Sequence, residues 1–511
     1  MKKKIICVFL LICMLSPLLL SCGANESPAD NNNAGTEQSA ENAENTETAA
    51  VSEEDARAAV SDDLPEMDFN GYIFTVSTRE NGQGSCEHIK DLVVEEETGD
   101  LLDDAVYHRT RTVEERFNVK IEAAAVDHDD GSGDTIRRSV LAGEQRYDMV
   151  IGHAVGLGNI VTSGVFYNWY DLPYTDFDKP WWVKNATEQL TVDGKSFFAV
   201  SDLSYNALDY TYCLLFNKRL FADYGIEIPY ERVRNRRWTI DYLSQITKDL
   251  YIDLNNDGAR DENDFYGYVS NTLSAGATYT FAFDNPITKK NNSGSFDMVF
   301  NNEKSASIID KLYSFFWENE GSYLIYDWSP QYRGVSLWDF HWKIFSGGDA
   351  VIVTAMFVNA VKNLRDMEDD YGFLPFPLYD ENQEKYQTYL DLHGTLMAAP
   401  ANLENPERTG IIISALSAEG YKQVTPVYYD IALKTKFSRD EEAAEMIDII
   451  MAGRTFDFGV QYDDFLGGSW YISNLLGNNA STNFASYIER HEIPLQRRYD
   501  RVIEFYQNYG N

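Results

Sequence analysis

The sequence predicts an α/β fold in which parallel strands alternate with helices. Three apolar runs have the length of buried strands: GYIFTV at 71–76, residues 119–126, and YDMVIG at 147–152. Residues 103–117 and 134–141, between these runs, have the apolar spacing of helices. A strand–helix–strand order at this spacing favours parallel pairing with right-handed crossovers.

Polar residues follow two of these predicted strands. Ser77, Thr78 and Arg79 come after the first run, and Gly152 and His153 come at the end of the third. Ligands of open α/β sheets bind at the carboxyl ends of the strands. We therefore expect these two loops to lie near a ligand.

Helix signals are present further along the chain. We expect Ser132 or Asp134 to cap the helix at 134–141, and Thr239 to cap a later helix that begins in WTID. The C-terminal part returns to helices, which we predict at 440–451 and 487–509.

The composition limits the possible partners. The chain has 511 residues, which predicts more than one domain. It carries 43 Lys and Arg against 81 Asp and Glu, a net charge of −38. This charge excludes nucleic acid as the main partner, because phosphate binding needs clustered positive charge, and it argues against a protein that lies flat on anionic lipid.

The N-terminus has the features of an export signal. Residues 1–22 join a basic start to an apolar stretch that is too short and too interrupted to span a membrane well. The stretch ends in LLSC, which resembles the bacterial lipobox, and we expect Cys22 to carry lipid that anchors the protein. Residues 23–63 are polar and acidic, and we expect a disordered tether there.

Two cysteines remain after the signal and the lipid site. Cys86 and Cys213 could pair in an oxidising compartment. Because Cys213 lies in an apolar run, we expect two free thiols instead.

One motif predicts a metal site. Residues 253–264 match the twelve-residue calcium loop, with Gly258 at its tight sixth position. The predicted ligand positions are Asp253, Asn255, Asp257, Ala259, Asp261 and Asp264. Asp264 stands where glutamate is usual, so we expect a structural calcium ion without a regulatory opening. A solvated acidic loop is the alternative.

Common catalytic motifs are missing from the sequence. It contains no Walker loop, HExxH or GxSxG, and its seven histidines form no recognisable triad. We therefore expect a protein that is not an enzyme. A tethered glycoside hydrolase is the alternative, because two carboxyl groups about 5 Å apart in a cleft would suffice for it.

Several aromatic residues stand beside small or polar ones. They are Trp181-Trp182, WDFHW at 338–342, and GGSWY at 467–471. Flat rings stack on the apolar faces of sugars, while neighbouring polar groups bind the hydroxyls. Packing within the core or between lobes is the alternative for each ring.

From about Leu64 to the C-terminus, the chain resembles the extracellular solute-binding proteins of ABC importers, a group that includes carbohydrate binders. The resemblance rests on four segments in order: YDMVIGHA at 147–154, residues 194–227, RRWTIDYL at 236–243, and residues 345–386. In such proteins the second segment passes through a hinge into a second lobe, and the fourth is the return crossing.

The resemblance implies a two-lobed periplasmic-binding-protein-like fold. Crossing strands join two α/β lobes, and the ligand is trapped in the cleft as the lobes close. We expect lobe I to comprise 64–205 and 350–420, and lobe II to comprise 206–349 and 421–511.

The resemblance also implies a site and a function. Family position places in the cleft His153, Asp202, Tyr205, Phe357 and Trp470, and loop context adds Arg79, Trp338 and His393. The implied protein is a lipid-anchored monomer on the extracellular face of the membrane. It delivers a solute to the permease of an ABC transporter, and we expect this solute to be an oligosaccharide. A surface glycan-binding protein without transport, and a peptide ligand, are alternatives.

Chelation tests the predicted calcium loop. We expect EDTA to lower the melting temperature and added calcium to restore it, because an ion that binds only the native state stabilises that state. Differential scanning fluorimetry measures the shift, with magnesium added back as the control. An unchanged melting temperature in EDTA contradicts the metal site.

Overall fold

Two β-sheets organise the chain. The computed structural model describes residues 53–79, 89–126, 133–325, 337–364, 367–391, 396–429, 441–463, 467–477 and 480–510. The predicted signal with Cys22, most of the predicted tether, Cys86 and His393 lie outside these ranges.

The strands, in chain order, are β1 (Tyr72–Arg79), β2 (Val119–Val126), β3 (Met149–Gly152), β4 (Tyr212–Asn217), β5 (Tyr251–Ile252), β6 (Phe265–Asn271), β7 (Thr288–Lys290), β8 (Phe296–Met298), β9 (Ser322–Ile325), β10 (Ala350–Met356), β11 (Tyr371–Leu374), β12 (Thr388–Tyr389), β13 (Leu396–Ala398) and β14 (Arg454–Thr455).

The α-helices are α1 (Glu53–Ala58), α2 (Ile89–Leu92), α3 (Leu101–Phe117), α4 (Asp134–Leu141), α5 (Ala154–Ile160), α6 (Lys184–Leu190), α7 (Asn206–Asp209), α8 (Lys218–Asp223), α9 (Tyr230–Arg234), α10 (Ile240–Thr247), α11 (Thr272–Ala282), α12 (Glu303–Tyr313), α13 (Leu337–Ser346), α14 (Pro406–Glu419), α15 (Glu441–Ala452), α16 (Phe458–Gln461), α17 (Tyr471–Leu476) and α18 (Phe484–Asn508). Short 3-10 helices cover Val161–Ser163 and Trp169–Asp171, and π-helical turns cover Ser314–Glu318, Asn359–Asn363 and Gly420–Val424.

The sheet of lobe I has the strand order β13-β3-β1-β2. β1 pairs in parallel with β2 from Tyr72↔Val119 to Arg79↔Val126, and in parallel with β3 on its other side. The three predicted strands, their parallel pairing and the helices α3 and α4 between them are confirmed.

The cap of α4 differs from the prediction. It is Gly133, which has no side chain to bond the first turn, and the expected Asp134 is the first residue of the helix instead of its cap. Ser132, the other expected cap, lies outside the described residues. Gly133 has a left-handed φ of 72°. A Cβ at this position would lie 2.9 Å from Cδ1 of Ile160 and 3.0 Å from the carbonyl oxygen of Gly156. Backbone conformation and close packing therefore both require glycine.

The sheet of lobe II has the order β11-β4-β10-β6-β5, and β9 pairs with β6. Every residue of β4 and β6 is buried, as expected for interior strands of a sheet that is covered on both faces. Cys213 in β4 is a buried free thiol, and its burial raises its pKa well above the ordinary value. The helix predicted after Thr239 is α10, and the Thr239 hydroxyl accepts the N–H of Tyr242.

The chain returns to lobe I later than we predicted. Residues 350–420 were expected in lobe I, but β10 and β11 both pair with β4 in the sheet of lobe II. It is β13 that joins the sheet of lobe I, antiparallel to β3. An apolar run such as Ala350–Met356 suits an interior strand of either sheet, and its pairing with β4 and β6 places it in lobe II.

Two segments cross side by side between the sheets. The first crossing runs from Ala199 to Thr211, and the second is described at Leu390 and Asp391 and again from Leu396, on either side of residues 392–395. Ala199 and Met397 exchange two backbone hydrogen bonds, of 3.0 and 2.9 Å, and Thr211 bridges to Leu390 at the other end. β12 and β14 form a further parallel pair next to Leu390. The two lobes are therefore connected through paired backbone.

A buried carboxyl group holds the start of the first crossing. Asp91 in α2 is 1% exposed. It accepts hydrogen bonds from the Ser204 hydroxyl, from the N–H of Tyr205 at 2.7 Å and from the Asn206 amide at 3.0 Å. Burial raises the pKa of Asp91 to about 7, although these donors oppose the change.

Arg109 of α3 fastens the same crossing from the other side. Its guanidinium is fully buried and donates to the carbonyl oxygen of Leu203 at 2.5 Å and to that of Leu92 at 2.8 Å. It also donates to the carbonyl oxygen of Asp91 at 3.0 Å. α2, α3 and the first crossing thus form one polar network inside lobe I.

Part of the predicted tether is helical and packs on lobe I. α1 lies at Glu53–Ala58, within the predicted tether. The Arg57 guanidinium lies 4.7 Å from the centroid of the Tyr421 ring, and Arg116 forms a 2.5 Å ion pair with Asp62. The local composition predicted disorder here, because it does not reveal contacts with residues from distant parts of lobe I.

α18 contacts both lobes. At its start, Phe484 packs edge-on against Tyr471 of α17 with 5.6 Å between ring centroids, and α17 packs on α11 of lobe II. Near its end, Tyr506 and Tyr509 each lie 4.8 Å from the ring of Phe197 in lobe I. Pro494 lies inside the helix. Of the helices in the described ranges, none is both long enough and apolar enough to cross a membrane.

Asp91 is expected to make stability depend on pH. Its pKa is raised in the folded state, so the native protein holds a proton that the unfolded chain releases, and stability falls as the pH rises from about 4 to about 7. Asp91→Asn cannot ionise, so the stability of this variant relative to the parent should improve by a few kcal/mol at most between pH 5 and pH 8.

Urea unfolding at both pH values measures this difference. Asp178→Asn, at an exposed carboxylate of lobe I, is the matched control and should show no such trend. A constant difference between Asp91→Asn and the parent across this pH range would rule out the titration of Asp91.

Candidate functional site

A pocket opens at the carboxyl ends of β1 and β3. It encloses about 390 Å³, a figure that includes space open to solvent. The lining residues are Ser77, Thr78, Arg79, Val126, Gly133, Ile136, Val150, Ile151, Gly152, His153, Gly156 and Leu157. The structure thus brings Arg79 and His153 together, as the predicted strand order requires.

The polar groups of this pocket are deeply set. Arg79 is 8% exposed and Thr78 is 1% exposed. The Thr78 hydroxyl makes no hydrogen bond to any of the described residues. Apolar side chains, among them Ile136 and Leu157, surround these groups, and an apolar environment strengthens any hydrogen bond that a ligand makes there.

A second polar cluster joins the first crossing to both lobes. Asp209, at the end of α7, is fully buried and accepts a 2.5 Å hydrogen bond from the Tyr428 hydroxyl. Lys362, which follows β10 of lobe II, places its Nζ 3.4 Å from the same carboxylate. Tyr205 stacks on the Tyr428 ring with 5.8 Å between centroids. We call these four residues the crossing cluster.

Asp202 lies in the first crossing and does not line the pocket. Its carboxyl group bonds the Thr425 hydroxyl and faces Arg454 and Arg57. Burial raises the pKa of Asp202 to about 6 in spite of these two guanidinium groups. Because Arg454 also donates to the carbonyl oxygen of Ala207 at 3.2 Å, this cluster ties β14 to the first crossing.

Phe357 and Trp470 are not among the described residues that line the pocket. Phe357 is fully buried, with its ring 5.9 Å from that of Phe373. Trp470 is 6% exposed and directly precedes α17. Trp338 lies in α13, and His393 lies outside the described ranges. In this conformation Phe357 and Trp470 serve the core of lobe II.

The tryptophan pair of lobe I also packs inside the protein. Trp181 is 1% exposed and Trp182 is 4% exposed. Trp182 packs edge-on against Trp169 with 5.8 Å between centroids, and Trp181 lies 6.5 Å from Tyr421. For these rings the packing alternative describes the structure.

The predicted calcium loop connects β5 to β6. Gly258 has a φ of 73°, as the tight sixth position of such a loop requires. The Asp253 carboxylate accepts two N–H groups of the loop at 2.6 and 3.0 Å, and the buried Asp264 accepts the Tyr251 hydroxyl at 3.1 Å.

These carboxylates thus accept hydrogen bonds from the loop and from Tyr251 of β5. Within the described ranges, no group of three or more His, Cys, Asp or Glu side chains is placed to hold a metal ion. Calcium binding at Asp253, Asn255, Asp257, Ala259, Asp261 and Asp264 stays a prediction.

Sequence reasoning missed three buried charged residues that position the site. Asp209 had a local signal, because it is a carboxylate inside the aromatic run ALDYTYCLLF. Asp91 and Arg109 stand 18 residues apart and belong to no motif. Their proximity arises from how α2 and α3 pack on the first crossing.

Comparison with solved structures identifies the fold. The galacto-N-biose- and lacto-N-biose-binding protein (GL-BP) of the ABC transporter from Bifidobacterium longum, in complex with lacto-N-biose, matches with a TM-score of 0.54 at 14% identity, over 87% of this chain and 99% of that one. UspC of M. tuberculosis matches with a TM-score of 0.51 at 14% identity, over 83% and 100%.

The GacH receptor of Streptomyces glaucescens, solved without ligand and with acarbose, matches with a TM-score of 0.50 at 11% identity, over 86% and 99%. No family model matches the chain, and no curated protein matches it in sequence. The structural matches confirm the predicted two-lobed, periplasmic-binding-protein-like α/β fold.

The burial of Trp470 changes what its truncation should do. Trp470→Ala is expected to lower the free energy of unfolding by about 3–5 kcal/mol without any ligand, because it leaves a cavity in the core. Urea unfolding measures this loss. Tyr170→Ala, at a ring that is 47% exposed, is the control and should cost far less. Parental stability in Trp470→Ala would instead place the ring in an open cleft.

Proposed function

We propose that this protein is an extracellular solute-binding protein that captures an oligosaccharide and delivers it unaltered to the permease of an ABC transporter. The observation that carries the proposal is the architecture: two α/β lobes joined by adjacent crossing segments, with a pocket at the strand ends of lobe I. Such a receptor needs affinity, closure and release, and it needs no covalent chemistry.

The ligands of similar proteins support a sugar. GL-BP carries lacto-N-biose and belongs to an ABC transporter, and GacH carries acarbose. Sugar recognition uses carboxylates, amides and arginine for the hydroxyl groups, and rings for the apolar faces. Arg79 and His153 in the pocket provide nitrogen atoms that can bind such hydroxyl groups.

The crossing cluster supports closure driven by ligand. Lys362 comes from lobe II, Tyr428 from the segment after α14 of lobe I, and Asp209 from the first crossing between them. Rotation of one lobe against the other would change these contacts. A ligand shifts the population of the closed form only through contacts that are made in that form.

The N-terminal sequence supports attachment to the cell surface. LLSC at 19–22 has the pattern of a lipidation site, so we infer that lipid on Cys22 holds the receptor at the membrane near its permease. The acidic chain itself has little attraction for anionic lipid. We infer that it works as a monomer.

A sugar screen tests the proposal. An oligosaccharide at about 100 times its Kd should stabilise the protein by about 2.7 kcal/mol, which a thermal-shift assay detects. Isothermal titration calorimetry on the hits should give one site per chain, because one cleft lies between two lobes. A library of dipeptides and tripeptides serves as the control set.

The fate of the bound sugar separates receptor from hydrolase. Mass spectrometry after overnight incubation should recover the sugar intact. Release of shorter sugars would show that the protein is a hydrolase and not a receptor. Binding of peptides alone would contradict an oligosaccharide ligand.

A further inference from the structure

The pocket of lobe I has an unusual charge for this protein. The whole chain carries 81 acidic residues, yet the described residues that line the pocket include none. They include one arginine, Arg79, and one histidine, His153. Neutral sugars are commonly bound with the help of carboxylates, which accept hydrogen bonds from their hydroxyl groups. This pocket offers hydrogen-bond donors instead.

Arg79 is placed to receive a planar anion. It ends β1, is 8% exposed and lines the pocket between walls of apolar side chains such as Ile136 and Leu157. A guanidinium fork matches the two oxygens of a carboxylate or sulfate group. The apolar walls reduce the screening of that pair by water.

Thr78 supplies a second, independent sign of a ligand. Its side chain is 1% exposed and lines the pocket, and its hydroxyl has no hydrogen-bond partner among the described residues. A buried hydroxyl without a partner costs free energy. A ligand oxygen in the pocket would accept its proton.

The start of α4 adds to the positive electrostatic potential that Arg79 gives the pocket. This eight-residue helix begins at the pocket, and its cap, Gly133, provides no side chain for the first N–H groups. Helix N-termini favour negative charge. Asp134 in the first turn is paired with Arg137, with 2.9 Å between its carboxylate oxygen and the guanidinium.

We propose that this pocket is a subsite for a singly charged oxyanion, the carboxylate or sulfate ester of an acidic sugar. The inference rests on the proposed function and narrows its ligand from oligosaccharides in general to those that carry such a group. Arg79 binds the anion through its guanidinium fork, and the Thr78 hydroxyl donates to it.

Matched pairs of sugars test the proposal on the purified chain. The acidic probes are trigalacturonate, cellobiouronate and 3′-sulfolactose. Their neutral counterparts are the two methyl esters and lactose, and maltotriose and lacto-N-biose complete the neutral set. We expect at least one acidic probe to bind at least tenfold more tightly than its counterpart in isothermal titration calorimetry. The uronates and the sulfate separate the two anions.

Two variants locate the effect. Arg79→Gln removes the charge, and Thr78→Val removes the hydroxyl while it keeps the shape. Each should weaken the acidic hit by a larger factor than it weakens the neutral counterpart, and for Arg79→Gln the loss for the acidic hit should be at least tenfold. Arg138→Gln removes a similar charge from the exposed side of α4 and is the control. Circular dichroism and the melting temperature verify that each variant folds. If Arg79→Gln does not fold, Thr78→Val still tests the proposal.

The outcomes distinguish failure of the anion subsite from failure of the proposed sugar receptor. Neutral sugars that bind as tightly as their acidic partners overturn the anion subsite but leave the sugar receptor standing. An acidic hit whose affinity is unchanged in both variants also overturns the subsite. If no sugar of either set binds, the proposed function fails, and the anion subsite fails with it.

Discussion

The paired backbone between the two sheets is the constraint on which the rest of the structure depends. Ala199 pairs with Met397 at one end of the crossings, and Thr211 pairs with Leu390 at the other. Backbone hydrogen bonds buried in this way must stay satisfied, because an unpaired buried group costs much of its desolvation free energy. The pairing therefore fixes the register of the two segments at both of these points.

The crossings also concentrate buried charge, which is costly unless it is paired. Asp91, Asp202 and Asp209 all act at the first crossing, and each is matched by donors from a different part of the chain. Replacing a buried pair by apolar side chains is often neutral or stabilising. Their use here indicates that they fix the conformation of the crossing more than they add to stability.

Local sequence patterns predicted the local structure well. β2 and α4 lie where apolar spacing placed them, and the parallel pairing followed from the order of the elements. The return to lobe I was misplaced, because Ala350–Met356 reads equally as a strand of either sheet and long-range pairing decides between them. Arg79 and His153 lie together as expected, because a parallel sheet places the carboxyl ends of adjacent strands at the same edge. Trp470 could not be assigned, because an aromatic residue in a cleft and one in a core have the same local sequence.

Helix α18 links the mechanics of the two lobes. Its first turns pack on Tyr471 beside lobe II, and its last turns pack on Phe197 of lobe I. Pro494 lacks an N–H, so the helix already has a missing hydrogen bond between its two anchored ends. Bending at that point breaks fewer bonds than bending elsewhere. A long straight helix anchored on both lobes would resist their relative rotation. The proline gives this helix a position at which it can bend.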